Sequence, residues 1–71
     1  MDTRNFKVRG AGSNGLSLRS APGLGPTVIG RLEDGDIVEA EDRTTEASRR
    51  SWRRLIRPRE GFVADAFLDP L

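Results

Sequence analysis

The segment LSLRSAPG spans residues 16–23, and VIGRLEDGDIVEAE follows it at residues 28–41. Leucines alternate with polar residues through LSLR, which is the two-residue period of a strand with one buried face. The Pro22-Gly23 pair ends that pattern, and apolar runs resume at VIGRL. The EDGD turn at residues 33–36 then separates VIGRL from the next apolar run. These segments predict consecutive short strands joined by turns.

The same short-period pattern extends through the chain and indicates an all-β fold. Apolar runs of four to seven residues are bounded by Gly, Pro, Asn or Asp, and none has the i, i+3, i+4, i+7 spacing of a helix. A single 3-10 turn is expected in VADAFLDP, before Pro70. The predicted strands are 6–11, 16–19, 27–32, 36–42, 51–57 and 60–64.

Three connecting segments need separate interpretation. GAGSNG at residues 10–15 matches the letters of the dinucleotide motif G-x-G-x-x-G. That motif requires a buried strand before it and a helix after it, whereas LSLR follows here, so a turn between two strands is predicted. The polar segment at residues 44–54 has no apolar stripe and is predicted as a mobile loop leading into a strand. RPRE, residues 57–60, is predicted as a tight hairpin turn.

Length and composition bound the function. The 71 residues are expected to form one domain, residues 1–71, and a chain this short buries only roughly 60% of its unfolded surface. The chain has no Cys and no His, which removes the commonest metal ligands and general base. Its paired carboxylates fall in turns or at strand ends. We therefore predict no enzyme activity, no cofactor and no metal, and no apolar run is long enough to span a membrane.

Charge is divided unevenly along a chain whose net charge is only +1. Residues 33–46 contain seven acids and one base, and residues 49–59 contain six arginines and no acid. The arginines around Trp52 could form a phosphate-binding surface. If strands 36–42 and 51–57 pair antiparallel, however, acids and arginines face each other and neutralise that surface. The paired arrangement is favoured, with an acidic protein or anionic wall polymer as the next candidate partner and nucleic acid unlikely.

Taken together, these motifs resemble those of bacterial SH3 domains, the small β-barrels often attached to cell-wall enzymes. The resemblance rests on LSLRSAPG, VIGRL, EDGDIVEAE, WRRLI, REGFV and AFL, and it covers residues 6–68. It implies a small SH3-like barrel of five to six short strands. The chain departs from the family pattern at Phe62, where a Trp is usual, and at Arg53, where an aromatic is usual.

The resemblance also implies a ligand groove between the loop at residues 20–26 and the predicted loop at residues 43–51. Trp52 is expected to stand half-exposed beside that groove, as a flat anchor for a ligand. The alternative is that Trp52 closes one end of a small core. The candidate groove residues are Trp52, Phe62, Pro22, Pro26, Arg50 and Arg54.

The expected function is that of a binding or targeting module. Its ligand would be a cell-envelope component such as peptidoglycan, or it would position an attached enzyme domain. The alternative is protein–protein docking through the Arg-rich loop and the groove, and nucleic-acid binding is a lesser alternative. We expect a monomeric module, on its own or within a longer chain. Its location would be extracytoplasmic if the parent chain is exported and cytoplasmic otherwise.

Overall fold

The computed structural model describes residues 2–71 and confirms the all-β prediction. It contains seven strands and, before the last of them, the predicted 3-10 turn, at Asp65–Phe67. The strands are β1 Thr3–Val8, β2 Leu16–Arg19, β3 Val28–Leu32, β4 Ile37–Ala47, β5 Arg50–Arg57, β6 Gly61–Ala64 and β7 Leu68–Pro70.

All seven strands form one antiparallel sheet in the order β3-β2-β6-β5-β4-β1-β7. The strand count therefore exceeds the predicted five to six, because the chain after the 3-10 turn adds β7 beside β1 through Phe6↔Pro70 and Val8↔Leu68. Strands β3 and β7 lie at opposite edges and do not pair with each other, so the sheet is open.

The core lies on one face of this sheet. Leu32 of β3 and Leu68 of β7 belong to the same buried cluster although they lie on opposite edges. The sheet must therefore curl strongly, because a flat sheet of seven strands would hold its edges far apart. The cluster contains Phe6, Val8, Leu16, Leu18, Leu32, Val38, Ala40, Leu55, Val63 and Leu68.

The prediction of a mobile loop at residues 44–54 is wrong. Strand β4 continues to Ala47 and β5 begins at Arg50, so a two-residue turn joins them. Ser48 and Arg49 have φ of 50° and 62°, the left-handed conformation that two-residue hairpins with a type I′ turn require. This part of the hairpin shows no apolar alternation, because residues 42–46 are exposed on both faces.

The beginning of the chain also differs from the prediction. Strand β1 starts at Thr3 and ends at Val8, against the predicted 6–11, because the polar residues before Phe6 pair with β4. The glycine-rich segment after it forms the predicted turn, with φ of 74° at Gly12 and 78° at Gly15. The Asp34 carboxylate accepts a hydrogen bond of 2.7 Å from the Ala11 amide and ties this turn to the β3–β4 connection.

The remaining predicted strands lie within one residue of the observed ones, apart from the long extension of β4. Strand β2 has the predicted bounds, and the connection between β5 and β6 spans residues 58–60, in agreement with the predicted hairpin turn. Within residues 2–71, no helix has the length and apolar character needed to cross a bilayer.

Gly61 provides a test of how tightly the curled sheet packs. A Cβ at Gly61 would lie 2.6 Å from Leu18 Cδ1 and 3.1 Å from the Arg19 carbonyl oxygen. We expect Gly61→Ala to lower the free energy of unfolding by about 1–3 kcal/mol, because the buried leucine has no room to withdraw. Urea denaturation measures the change.

Gly25→Ala is the matched control for this substitution. No atom lies within 4 Å of a Cβ built at Gly25. Its effect should stay within about 1 kcal/mol of zero, since the added methyl group meets open space. Equal losses of stability in the two variants would contradict the close approach of β6 to β2.

Candidate ligand-binding cleft

Arg19, the last residue of β2, organises the loop at residues 20–26. Its Nη1 donates hydrogen bonds of 2.9 Å to the carbonyl oxygens of Leu24 and Pro26. The Ser20 amide donates to the Thr27 carbonyl across the base of the loop at 2.9 Å. The charged side chain thus satisfies two loop carbonyls that have no strand partner, which holds the loop in one conformation.

This loop also contacts the tip of the β4–β5 hairpin. The Leu24 amide donates a hydrogen bond of 3.0 Å to Ser48 Oγ. Gly23, with φ of 117°, passes so close that a Cβ there would lie 3.2 Å from the same hydroxyl oxygen. The loop and the hairpin tip are therefore joined, and the second of the two predicted loops is the tip of a hairpin.

A cleft of about 170 Å³ opens beside this junction. A second depression of about 380 Å³ adjoins it, and Arg50, Ala64 and Phe67 line both. Leu24, which is 48% exposed, and Trp52 line the first cleft only. We call the two depressions together the Arg50 trough.

Trp52 lies at the floor of the cleft, and the expectation that it is half-exposed is wrong. Only 2% of its surface is accessible, and its indole N–H donates a hydrogen bond of 2.8 Å to the Ala47 carbonyl. By strand alternation it faces away from Leu55 and the main core, opposite the small Ala64. Trp52 therefore shapes the cleft from beneath, in closer agreement with the alternative of a side chain that closes one end of a small core.

The other candidate groove residues lie outside the cleft. Phe62 and Arg54 are cross-strand neighbours on β6 and β5 and do not line the cleft. Pro22 and Pro26 are part of the loop but do not line the cleft. Of the six candidates, Trp52 and Arg50 line the cleft and the other four do not.

Sequence reasoning missed Leu24 and Phe67 as cleft residues. Leu24 stands among Gly and Pro residues with no alternating partner, and because single apolar residues are common on protein surfaces, no signal in the sequence marks it as a cleft residue. Phe67 belongs to the 3-10 turn, and nothing in the alternation pattern of the strands shows where that turn lies relative to the loop.

The predicted pairing between acids of β4 and arginines of β5 is confirmed. Arg54 Nη1 lies 2.9 Å from Glu41 Oε2, and Arg57 Nε lies 3.6 Å from Glu39 Oε1. The hydrogen bond from Arg54 to Glu41 raises the pKa of the Arg54 guanidinium above its ordinary value, so this side chain stays charged. These pairs neutralise the central part of the arginine run.

Arg53 is held within the protein in a different way. Its Nε lies 2.7 Å from Asp65 Oδ1, and its Nη1 donates a hydrogen bond of 2.8 Å to the Glu41 carbonyl. Its guanidinium carbon is 4.6 Å from the centroid of the Phe6 ring. The cation thus stacks on an aromatic ring of the core where the resembling family usually has an aromatic side chain, and this role is structural.

The arginines of the hairpin tip have no such partners. Arg43, Arg49 and Arg50 form no ion pair within residues 2–71 and are exposed. Arg49 and Arg50 lie at the turn between β4 and β5, and we call these two the tip arginines, whereas Arg43 lies in the middle of β4. Among residues 2–71, no three acidic side chains lie close enough together to hold a metal ion.

Protein-family models give no match to the chain, and no match is found among curated proteins or among solved structures. The class of the protein is therefore defined here by its own architecture. It is an all-β domain of one open, curled antiparallel sheet, with a cleft where the loop at residues 20–26 meets the β4–β5 hairpin.

Substitutions of Trp52 test its place beneath the cleft. Trp52→Ala should lower the free energy of unfolding by about 3–5 kcal/mol, because it leaves a large cavity under the loop junction. Trp52→Phe keeps most of the volume but leaves the Ala47 carbonyl unpaired, so a smaller loss of about 1–3 kcal/mol is expected. Thermal and urea denaturation measure both, and an unchanged stability of Trp52→Ala would show that the indole is not packed as described.

Proposed function

We propose that this chain is a non-catalytic binding module of the bacterial SH3 type, whose sheet forms a small SH3-like barrel. Its cleft binds a cell-envelope component such as peptidoglycan, and in a longer chain it positions an attached enzyme domain. The order of the motifs over residues 6–68 and the single core shared by both sheet edges support the barrel. Since a fold alone does not define a function, the cleft has to support the rest.

The observation on which this proposal rests is the fixed junction that borders the cleft. Arg19 holds the loop from inside and Ser48 holds it from the hairpin, so the cleft is built before any ligand arrives. A preformed site avoids the cost of ordering a loop on binding. Leu24 at the rim and Arg50 beside it offer an apolar contact and a cation, and wall peptides provide small apolar side chains and carboxylates.

The polar groups of the domain support a non-catalytic role. The chain has no His and no Cys. Within residues 2–71 no polar or charged side chain is buried, and burial is what most often adapts a carboxylate to acid–base catalysis. The clefts are also shallow and open on the surface of the sheet, which suits binding better than the exclusion of water from a reaction.

Retention on purified cell-wall sacculi tests the proposal. Leu24→Ser removes apolar surface at the rim without touching the core, because Leu24 is 48% exposed. We expect this variant to bind sacculi at least about fivefold more weakly, the equivalent of about 1 kcal/mol of lost apolar contact. The measurement is the fraction of the domain sedimented with sacculi at low salt.

Ile37→Ser is the matched control, since Ile37 is 55% exposed and lies on β4 outside the cleft. Its retention should equal that of the unsubstituted domain. No retention of the unsubstituted domain, or equal losses in both variants, would count against the cleft as a wall-binding site.

The tip arginines favour a second candidate, docking of an acidic protein surface. Two exposed cations without an ion-pair partner at the tip of the hairpin attract an acidic partner. Arg50 belongs to the hairpin tip and to the cleft, but Arg49 does not line the cleft, so a substitution of Arg49 separates the two functions.

Charge reversal separates this candidate from binding that depends on net charge alone. Arg49→Glu should elute from immobilised polyglutamate at lower salt than the unsubstituted domain. Arg9→Glu makes the same change in net charge at a residue paired with Asp69 at 2.9 Å, away from the tip, and should elute later than Arg49→Glu. Identical elution of the two variants, or stronger retention on single-stranded DNA than on polyglutamate, would refute docking through the tip.

A further inference from the structure

Arg50 differs from the other arginines of its strand. Arg53, Arg54 and Arg57 each have a carboxylate within 4 Å, whereas Arg50 makes no ion pair and donates no side-chain hydrogen bond within residues 2–71. Its partner in the β4–β5 register is Ala47, whereas Arg57 lies opposite Glu39, so the position across from Arg50 provides a methyl group and no acid. The guanidinium of Arg50 is thus available to a ligand.

The acid nearest to Arg50 along the chain and the acid that lines the second depression both accept hydrogen bonds from other residues. The Glu46 carboxylate accepts a hydrogen bond from the Ser51 hydroxyl. Asp65, which lines the second depression, accepts a hydrogen bond from Arg53. A small movement of Arg50 therefore does not bring it to an acid that lacks a partner.

The volume of the first cleft limits the size of the group that can bind beside Arg50. The first cleft, about 170 Å³, is smaller than the roughly 300–1,000 Å³ of pockets that enclose whole small molecules. It has room for one side chain, and Leu24, Ala64 and Phe67 give that side chain apolar neighbours. Arg50 lines the same cleft, so the group that it binds has to lie next to that side chain.

We infer that the Arg50 trough binds the C-terminal residue of a peptide, with its free α-carboxylate on Arg50 and its small apolar side chain in the cleft. This inference rests on the proposed binding function and names the ligand group that the function uses. The planar guanidinium donates two parallel hydrogen bonds to a carboxylate, which a lysine cannot reproduce.

The geometry favours a chain terminus over an acidic side chain. A C-terminal residue has its carboxylate and its side chain on one Cα, so the two groups reach Arg50 and the cleft together. An aspartate or glutamate inside a peptide would place its carboxylate at the end of the only side chain that the cleft could accept. Leu24, Ala64 and Phe67 at the cleft would then have no apolar group to contact.

Titration of the ¹⁵N-labelled domain with three short peptides tests the inference. The probes are N-acetyl-trialanine as the free acid, the same peptide as its C-terminal amide, and N-acetyl-alanyl-aspartyl-alanine amide. The reporter is the indole N–H resonance of Trp52, which lies at the floor of the cleft. We expect the free acid to bind about tenfold or more tightly than either amide, the usual effect of a charge-assisted pair of hydrogen bonds.

Two variants with the same change in charge identify the residue responsible. Arg50→Gln should reduce binding of the free acid to the level of the amide. Arg43→Gln removes an exposed, unpaired arginine outside the trough and should leave the preference for the free acid unchanged. Arg50→Lys should retain only part of the preference, because a single ammonium replaces the two-pronged donor.

Several results would overturn the inference. They are equal affinity for acid and amide, no binding of the acid at millimolar concentration, equal losses in the two Gln variants, or binding of the aspartyl amide as tight as that of the free acid. If any of these results were found while retention on sacculi still depended on Leu24, the inference that Arg50 binds a terminal carboxylate would be refuted and the proposed function would stand. Specific binding of the free acid without retention on sacculi would instead refute the cell-wall ligand and keep the carboxylate position.

Discussion

The sheet of this protein has to supply both sides of its own core. Besides its strands, the described chain contains only a three-residue 3-10 turn, so no helical layer is available to cover the apolar face. Leu32 and Leu68, on opposite edges, reach one cluster only because the sheet curls toward itself. This curvature requires close approaches between strands, and the absence of a side chain at Gly61 beside Leu18 permits one of them.

Curling leaves the convex face without cover, and Trp52 lies on that face by strand alternation. Trp52 is nevertheless buried, and it lines the cleft together with Leu24 of the loop at residues 20–26, which Arg19 and Ser48 hold in place. The segment LSLRSAPG accordingly has two functions in the structure. Its leucines enter the core, while its arginine fixes the loop that borders the cleft.

Strand alternation made the core largely predictable, since Leu16, Leu18 and Leu55 lie where a two-residue period places them. The hairpin around Ser48 could not be predicted in the same way, because its strands are polar on both faces and its turn lacks the Asn-Gly signal. The burial of Trp52 was also missed, because alternation assigns a side chain to a face but does not show which loop covers that face. The loop at residues 20–26 also contributes Leu24 to the cleft, and strand alternation does not predict that contact.

The pairing of charges also depends on the register between β4 and β5. Acids and arginines cancel along β4 and β5 for as long as Glu39 and Glu41 lie near arginines, and this much followed from the antiparallel pairing of two oppositely charged segments. At the hairpin tip β4 ends with Ala47 opposite Arg50 and the turn begins with Ser48, so the positive charge of Arg50 is no longer compensated there. The same Ser48 ties the loop to the hairpin. Uncompensated charge and a preformed cleft therefore coincide at one end of the sheet, and Arg50 is the residue that belongs to both.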